Sequence, residues 1–129
     1  LPQYPTLEHV NAGNNKDVTD AGAISLSRLP ALTRVELEQT PIGDDGLAAL
    51  ATLPALDTLV LNSTRVTDAG LEALRGHPTL REISLGWTKI TDAGLKHLAT
   101  IPRLESVASW DSKNAASKER LSLAELRAL

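Results

Sequence analysis

One stretch occurs twice with small changes and decides the fold. Residues 56–74 read LDTLVLNSTRVTDAGLEAL, and residues 80–98 read LREISLGWTKITDAGLKHL, which is the same pattern 24 positions later. Prolines recur at this interval, at Pro30, Pro54, Pro78 and Pro102. Self-similarity at a period of roughly 20 to 50 residues is typical of repeat proteins, whose units bury their apolar faces only by stacking on one another. The sequence therefore predicts an array of stacked 24-residue units.

The first half of each unit has apolar residues at alternate positions. Leu59 and Leu61 alternate with Thr58, Val60 and Asn62, as expected of a strand with one buried face. The apolar positions form three columns: Leu32, Leu56, Leu80 and Leu104; Val35, Leu59, Ile83 and Val107; and Leu37, Leu61 and Leu85, where Ser109 replaces the fourth leucine. Leu7 and Val10 begin the first two columns. We expect the strands to pair in parallel and these residues to form the core.

The second half of each unit predicts a short helix. Thr67 fits the N-cap, Asp68 fits the first turn near the positive end of the helix dipole, and Leu71 and Leu74 face inward. The aspartate forms one column and a glycine forms another: Asp20, Asp44, Asp68 and Asp92; Gly22, Gly46, Gly70 and Gly94. We expect the glycines to allow close packing between neighbouring units.

The consensus Leu-x-x-Leu-x-Leu-x-x-Thr-x-Ile-Thr-Asp-Ala-Gly-Leu-x-x-Leu resembles the leucine-rich repeat family. The resemblance covers nearly the whole chain and is most similar to the 24-residue bacterial and F-box-associated subtype, which has a small polar residue or Cys at the position of Thr64 and Thr88. It implies an α/β leucine-rich repeat solenoid, a right-handed superhelix with a concave parallel sheet and short convex helices. It also implies that the surface binds a protein.

The repeat divides residues 1–129 into units of one solenoid domain. The units are 5–29, 30–53, 54–77, 78–101 and 102–129. The last has an insertion at about 111–120, after which Ser122 takes the position of Thr91 and Leu126 that of Leu95. Because the chain has no Met and the pattern stops inside a unit without a polar cap, we expect it to be part of a longer protein.

Composition limits the kinds of partner. The chain has no Cys, so disulfides and thiolate metal sites are excluded. Its formal net charge is −3, whereas nucleic-acid binders usually carry a basic surface. No apolar stretch approaches the roughly 20 residues that span a bilayer. We expect neither a nucleic-acid nor a membrane partner, and the localisation is left open, with the cytoplasm favoured.

No residues are spaced for catalysis or for binding a metal. The spacing of Ser109, Asp111 and His97 does not set up a nucleophile with an oriented base. His9, His77 and His97 fall on different parts of their units and do not converge on one metal. A calcium ladder along the aspartates is the alternative, but no second carboxylate column supplies further ligands. We predict no enzyme activity, no cofactor and no metal.

His77 occupies a column that is otherwise aliphatic. Its counterparts are Leu29, Leu53 and Ile101. We therefore expect a partly buried, hydrogen-bonded side chain, and a ligand is the alternative.

The remaining strand positions predict what the concave face presents. Its columns are His9, Arg34, Thr58, Glu82 and Ser106; Asn11, Glu36, Val60, Ser84 and Ala108; Gly13, Glu38, Asn62, Gly86 and Trp110; and, at the strand exits, Asn14, Gln39, Ser63, Trp87 and Asp111. The candidate partner-binding residues are Arg34, Glu36, Glu38, Val60, Asn62, Glu82, Ser84, Trp87, Trp110 and Asp111. Four of these are acidic and only one is basic, so the face should attract a basic partner surface. An ordinary solvated face is the alternative.

Both tryptophans fall in these columns, on adjacent units. Tryptophan is enriched at binding hot spots because it buries a large area with few rotamers to restrict. Trp87 and Trp110 are therefore candidate anchors. The alternative is structural: Trp87 folds over Gly86, and Trp110 covers Ser109 and the insertion.

Three hypotheses for the function follow. The leading one is a non-catalytic protein–protein recognition module that binds a partner on its concave face. The second is the substrate-targeting arm of a larger enzyme or effector, for instance a ubiquitin-ligase-like one, with its chemistry in other sequence. The third is an architectural spacer. Strands at the ends of the solenoid predict a monomer or an end-to-end dimer.

Overall fold

A computed structural model describes residues 6–109 and 122–129. Strands and helices alternate along these residues. The strands are β1 (His9–Asn11), β2 (Arg34–Glu36), β3 (Thr58–Val60), β4 (Glu82–Ser84) and β5 (Ser106–Ala108). The helices are α1 (Asp20–Leu26), α2 (Asp44–Leu50), α3 (Asp68–Leu71), which continues as a 3₁₀ turn (Glu72–Leu74), α4 (Asp92–Leu98) and α5 (Leu123–Arg127).

The strands form one parallel sheet in the order β1-β2-β3-β4-β5. Each strand pairs with its counterpart one unit away: Val35 lies opposite Leu59, which lies opposite Ile83. Because equivalent residues are paired, every column of the repeat becomes a straight row across the sheet. The predicted parallel sheet and its register are confirmed.

The core consists of aliphatic side chains from the strands and from the inner faces of the helices. Leu59 and Leu61 of the third unit are fully buried, as are Leu71 and Leu74 of its helical half. The predicted inward columns of the other units are buried as well, with two exceptions in the first unit. Val10 is only half-buried. Leu7 is 40% exposed. The expectation for this residue was wrong because, among the described residues, its unit stacks on one neighbour only.

A buried threonine ends the strand segment of three units. Thr64 Oγ1 donates to the Leu61 carbonyl at 2.8 Å. The same bond joins Thr40 to Leu37 at 2.7 Å and Thr88 to Leu85 at 2.6 Å. The hydroxyl gives a buried carbonyl a partner at the point where the chain leaves the sheet, and such a carbonyl is costly to leave unpaired.

The aspartate column links neighbouring units. Asp44 Oδ1 accepts from the backbone N–H of Thr67 at 2.8 Å, and Asp44 Oδ2 accepts from the Thr67 hydroxyl at 2.6 Å. Equivalent bonds to a backbone N–H join Asp68 to Thr91 at 2.7 Å and Asp20 to Gly43 at 2.8 Å. Each of these aspartates starts one helix and holds the residue that caps the next helix. We call this series of bonds the aspartate ladder.

The predicted capping role of Thr67 is correct in position and wrong in mechanism. Thr67 is the N-cap residue of α3, but its side chain makes no capping bond to that helix. The hydroxyl donates to Asp44 instead, because a hydrogen bond to a carboxylate is charge-assisted and stronger than one between neutral groups. Asp68 lies in the first turn, as expected from the helix dipole.

Helix α5 is capped within its own unit. Ser122 Oγ accepts from the Glu125 backbone N–H at 3.2 Å, and Glu125 Oε1 accepts from the Ser122 N–H at 3.3 Å. This is a capping box, in which each residue satisfies the other's backbone donor. Ser122 takes the N-cap position of Thr91, and Leu126 is buried like Leu95, as the sequence alignment across the insertion predicted.

The glycine column makes room for the aspartate ladder. A Cβ added at Gly70 would lie 2.2 Å from Asp44 Oδ1, and one added at Gly94 would lie 2.2 Å from Asp68 Oδ1. Both distances are far below van der Waals contact. The predicted close packing between units is therefore confirmed, and its reason is the carboxylate of the preceding unit.

His77 is a structural residue. It is only 5% exposed; Nε2 donates to the Leu53 carbonyl at 3.1 Å, and Nδ1 accepts from the N–H groups of Thr79 at 3.3 Å and Leu80 at 3.2 Å. These partners require the neutral ring, which has one donor and one acceptor nitrogen. Burial lowers the pKa of His77, and the bond to Leu53 opposes that change only in part. The expected hydrogen-bonded histidine is confirmed.

The ladder predicts opposite effects of one substitution at two equivalent glycines. Gly94→Ala should lower the free energy of unfolding by about 1–3 kcal/mol, because the new methyl overpacks the site occupied by Asp68. Gly22→Ala is the matched control, since its Cβ would meet nothing closer than Val18 Cγ1 at 3.5 Å. It should raise stability by roughly 0.5–1 kcal/mol, because alanine favours a helix. Urea denaturation measures both, and equal effects would contradict the ladder.

His77 predicts a pH dependence of stability. Because its folded pKa is below the unfolded value, the unfolded chain takes up the proton first as the pH falls. The contribution of neutral His77 to the free energy of unfolding is therefore present above an unfolded pKa of about 6.5. Below that pH it is lost, by at most about 1.4 kcal/mol per pH unit. The urea midpoint of the parent should decrease as the pH is lowered from about 7.5 to about 5.5, and the midpoint of His77→Leu should decrease less. Parallel curves would show that His77 is not responsible.

Candidate functional site

The candidate residues lie on the side of the sheet that faces away from the core. We call this side, which was predicted to be concave, the open face. Arg34 and Trp87 are exposed, and six further candidates are half-buried: Glu36, Glu38, Val60, Asn62, Glu82 and Ser84. Thr58 is buried instead of solvent-facing, and its hydroxyl donates to Asp57 Oδ2 at 3.0 Å. Trp110 and Asp111 lie outside the described residues.

Two neighbours bind the carboxylate of Glu36. His9 Nε2 lies 2.6 Å from Glu36 Oε2, and Arg34 Nη2 lies 3.5 Å from Glu36 Oε1. The hydrogen bond from His9 and then the nearby Arg34 hold the pKa of Glu36 below its ordinary value. Glu36 is thus an ion-paired carboxylate. The parallel register brings His9 and Glu36 together. His9 was predicted to lie on this face, but it was not among the candidate partner-binding residues.

Glu38 and Asn62 are neighbours in one column, yet they lean in opposite directions. The Glu38 carboxylate lies over Gly13, where an added Cβ would be 2.2 Å from its Oε1. Asn62 Oδ1 accepts from the Gly86 N–H at 2.8 Å and from the Ser84 hydroxyl at 2.7 Å. One side chain is turned toward the first unit and the other toward the fourth.

Between these two side chains, half-buried Val60 supplies apolar surface at the middle of the open face. Glu36 leans away as well, since its carboxylate is bound to His9 in the first unit. The second oxygen of Glu38, Oε2, is buried without a hydrogen-bond partner among residues 6–109 and 122–129. The open face therefore combines an apolar centre with a carboxylate that is incompletely satisfied.

Trp87 lies at the exit of β4, at the edge of the open face. Its side chain is 53% exposed, and its backbone is left-handed, with φ of 52°. The equivalent residues Asn14, Gln39 and Ser63 share this conformation, with φ of 59°, 56° and 57°. A left-handed conformation costs about 1–2 kcal/mol for an L-residue, and asparagine tolerates it better than a bulky residue does. The turn does not require tryptophan.

A row of ion pairs lies beside the open face and was not predicted from the sequence. Arg81 donates from Nε to Glu105 Oε2, and its Nη1 lies 3.5 Å from Asp57 Oδ1. The hydrogen bond to Arg81 lowers the pKa of Glu105. The three residues recur every 24 positions, which is the signal that could have identified them. All are solvent-accessible, so the row stabilises little and mainly fixes the charge pattern of this edge.

Two kinds of site are not found among the described residues. They contain no group of three or more His, Cys, Asp or Glu side chains that could hold a metal ion. They also contain no helix with the length and apolar character needed to cross a bilayer.

Comparison with protein families agrees with the geometry. Residues 29–51 and 76–99 match the family model described as Leucine Rich repeat. Each matched segment contains one strand, one buried threonine and one helix that begins at an aspartate of the repeat. No curated protein matches the sequence. The two matches support a leucine-rich repeat family, and with the five-stranded parallel sheet and its alternating short helices they identify the fold as an α/β leucine-rich repeat solenoid.

Proposed function

We propose that this chain is a non-catalytic recognition module that binds a protein partner on the open face, with Trp87 as an anchor. Leucine-rich repeats generally mediate protein–protein interaction. The observation that carries the choice of face is Trp87, a large side chain left 53% exposed on a left-handed backbone. The turn accounts for the left-handed backbone but not for a tryptophan there, and exposed tryptophan is enriched at binding hot spots.

The centre of the open face complements an apolar side chain of the partner. Val60 is half-buried, and Glu38 and Asn62 are drawn away from it by contacts with the first and fourth units. A partner side chain that covers Val60 would bury apolar area on both molecules, which is the main driving force of association. Trp87 lies one unit further along the sheet and would pack beside it.

The charge of the open face favours a basic partner. Arg34 balances the charge of Glu36, so the acidic character rests on Glu38 and Glu82 among the described residues. A donor from the partner that reached Glu38 Oε2 would also relieve the cost of burying an unpaired carboxylate oxygen. We assign Arg34, Glu36 and Ser84 to the polar surroundings of the contact. Trp110 and Asp111 stay candidates from the sequence.

The same face would serve the second hypothesis. As the substrate-targeting arm of a larger ubiquitin-ligase-like enzyme or effector, this chain would still select the partner, and the chemistry would lie in other sequence. An architectural spacer differs, because substitutions on its open face would change no binding. The threonine bonds of Thr64 and Thr88 support assignment of the repeats to the bacterial and F-box-associated subtype.

Partner capture with matched variants tests the proposal. Immobilised parent, Trp87→Ala and Ile24→Ala chains are exposed to lysate of the source organism, and retained proteins are identified by mass spectrometry. Ile24 is the control because it is a large apolar residue, 43% exposed, on helix α1. Loss of a hot-spot side chain costs about 2 kcal/mol or more, so Trp87→Ala should bind the captured partner at least roughly thirtyfold more weakly.

The Ile24→Ala chain should retain the same partner as the parent. Circular dichroism and urea midpoints check that both variants are folded. Equal capture by all three chains would place binding away from Trp87. Failure of every chain, including the parent, to retain any protein would favour the spacer.

A further inference from the structure

A groove lies at the exits of β1, β2 and β3, where the chain turns from the sheet toward the helices. Its volume is about 540 Å³, and it is lined by Asn14, Lys16, Gln39, Pro41, Ser63 and Arg65. The hydroxyls of Thr40 and Thr64 at its base already donate to strand carbonyls. We call it the edge groove. It contains none of the residues assigned above to the open-face site.

The row of polar side chains in the edge groove suits a peptide main chain. Asn14, Gln39 and Ser63 are exposed, and all three have the left-handed backbone of the strand exit. They occupy equivalent positions on successive units, which parallel pairing places about 4.8 Å apart. Carboxamides and hydroxyls both donate and accept, so this row can hydrogen-bond the alternating N–H and C=O groups of an extended chain.

The charge of the edge groove is opposite to that of the open face. Lys16 and Arg65 are exposed, and no carboxylate lines the groove. Neither side chain forms a salt bridge within residues 6–109 and 122–129. Both cations are therefore available for an anionic ligand.

We propose that the edge groove binds an extended acidic segment of a protein that carries two carboxylates two residues apart, on the same side of the segment. Lys16 lies in the first unit and Arg65 in the third. The two residues are therefore two strand spacings of about 4.8 Å apart, or roughly 10 Å. In an extended peptide, side chains two residues apart point to the same side and lie about 7 Å apart, and the long side chains of Lys16 and Arg65 can span the remaining distance. Nucleic acid fits less well, because two cations neutralise few phosphates and the chain has a net charge of −3.

Titration of the full chain with defined peptides, followed by ¹⁵N NMR, tests the inference. The probe is a capped glycine–serine peptide with two glutamates two positions apart, which places both carboxylates on one side of the extended chain. It should shift the amides of Asn14, Gln39 and Ser63, and Arg65→Glu should weaken binding by at least about tenfold, the order expected for loss of a charge-assisted contact. Lys96→Glu makes the same charge change at an exposed position on α4 and should stay within about twofold of the parent.

Three further probes can overturn the inference. Adjacent glutamates in the same peptide should bind more weakly, and equal binding would contradict the spacing. Lysines in place of the glutamates should abolish the shifts. A single-stranded oligonucleotide that shifted the same amides more strongly would assign the edge groove to phosphates. If Arg65→Glu and Lys96→Glu weakened peptide binding equally, or if millimolar peptide caused no shifts, the edge groove would not be the binding site. Because Trp87 is unchanged in these variants, the result is independent of the open-face proposal.

Discussion

Asp44 of one unit holds the backbone N–H and the hydroxyl of Thr67 in the next, and the rest of the structure depends on this contact and its equivalents. A 24-residue unit with a three-residue strand and a short helix cannot bury its own core, so stacking must supply the stability. The ladder gives the helical side of that stack a defined partner for each helix start. It also explains the glycine column, because the carboxylate occupies the space that a Cβ at Gly70 would need.

The ladder and the sheet together determine what the surfaces can present. Pairing of equivalent residues converts each column of the sequence into a row, so side chains 24 or 25 residues apart become neighbours. Pairing between units also brings His9 within reach of Glu36, and Asn62 within reach of Ser84. The open face and the edge groove are therefore adjacent surfaces of opposite charge.

Periodicity alone predicted the strands, the aliphatic core and the need for glycine at its column, because each depends on a residue type repeated at one position. The same reasoning placed His77 correctly, since an aliphatic column leaves a polar side chain buried and in need of partners. The same reasoning predicted that the side chains of Thr67 and Asp68 act on the helix they begin. The bonds to the next unit were not predicted, because one column of aspartates does not show how far a carboxylate reaches.

The site was predicted less completely than the fold. The columns of the open face followed from strand alternation, and Trp87 is exposed there. The pairing of Glu36 with His9, the opposite tilts of Glu38 and Asn62, and the edge groove depend on side-chain directions that alternation does not specify. Burial of Thr58 has the same origin, since its hydroxyl is drawn to Asp57 beside it in the chain.

A double-mutant cycle on Asp44→Ala and Gly70→Ala, measured by urea denaturation, tests the aspartate ladder most directly. Each single substitution removes or obstructs the same contact, because a Cβ at Gly70 would overlap Asp44 Oδ1. Once Asp44 is alanine, the methyl at position 70 has space, so Gly70→Ala should lose most of its cost. The predicted coupling free energy is at least about 1 kcal/mol, within the range found for residues in contact. Additive effects of the two substitutions would contradict the ladder.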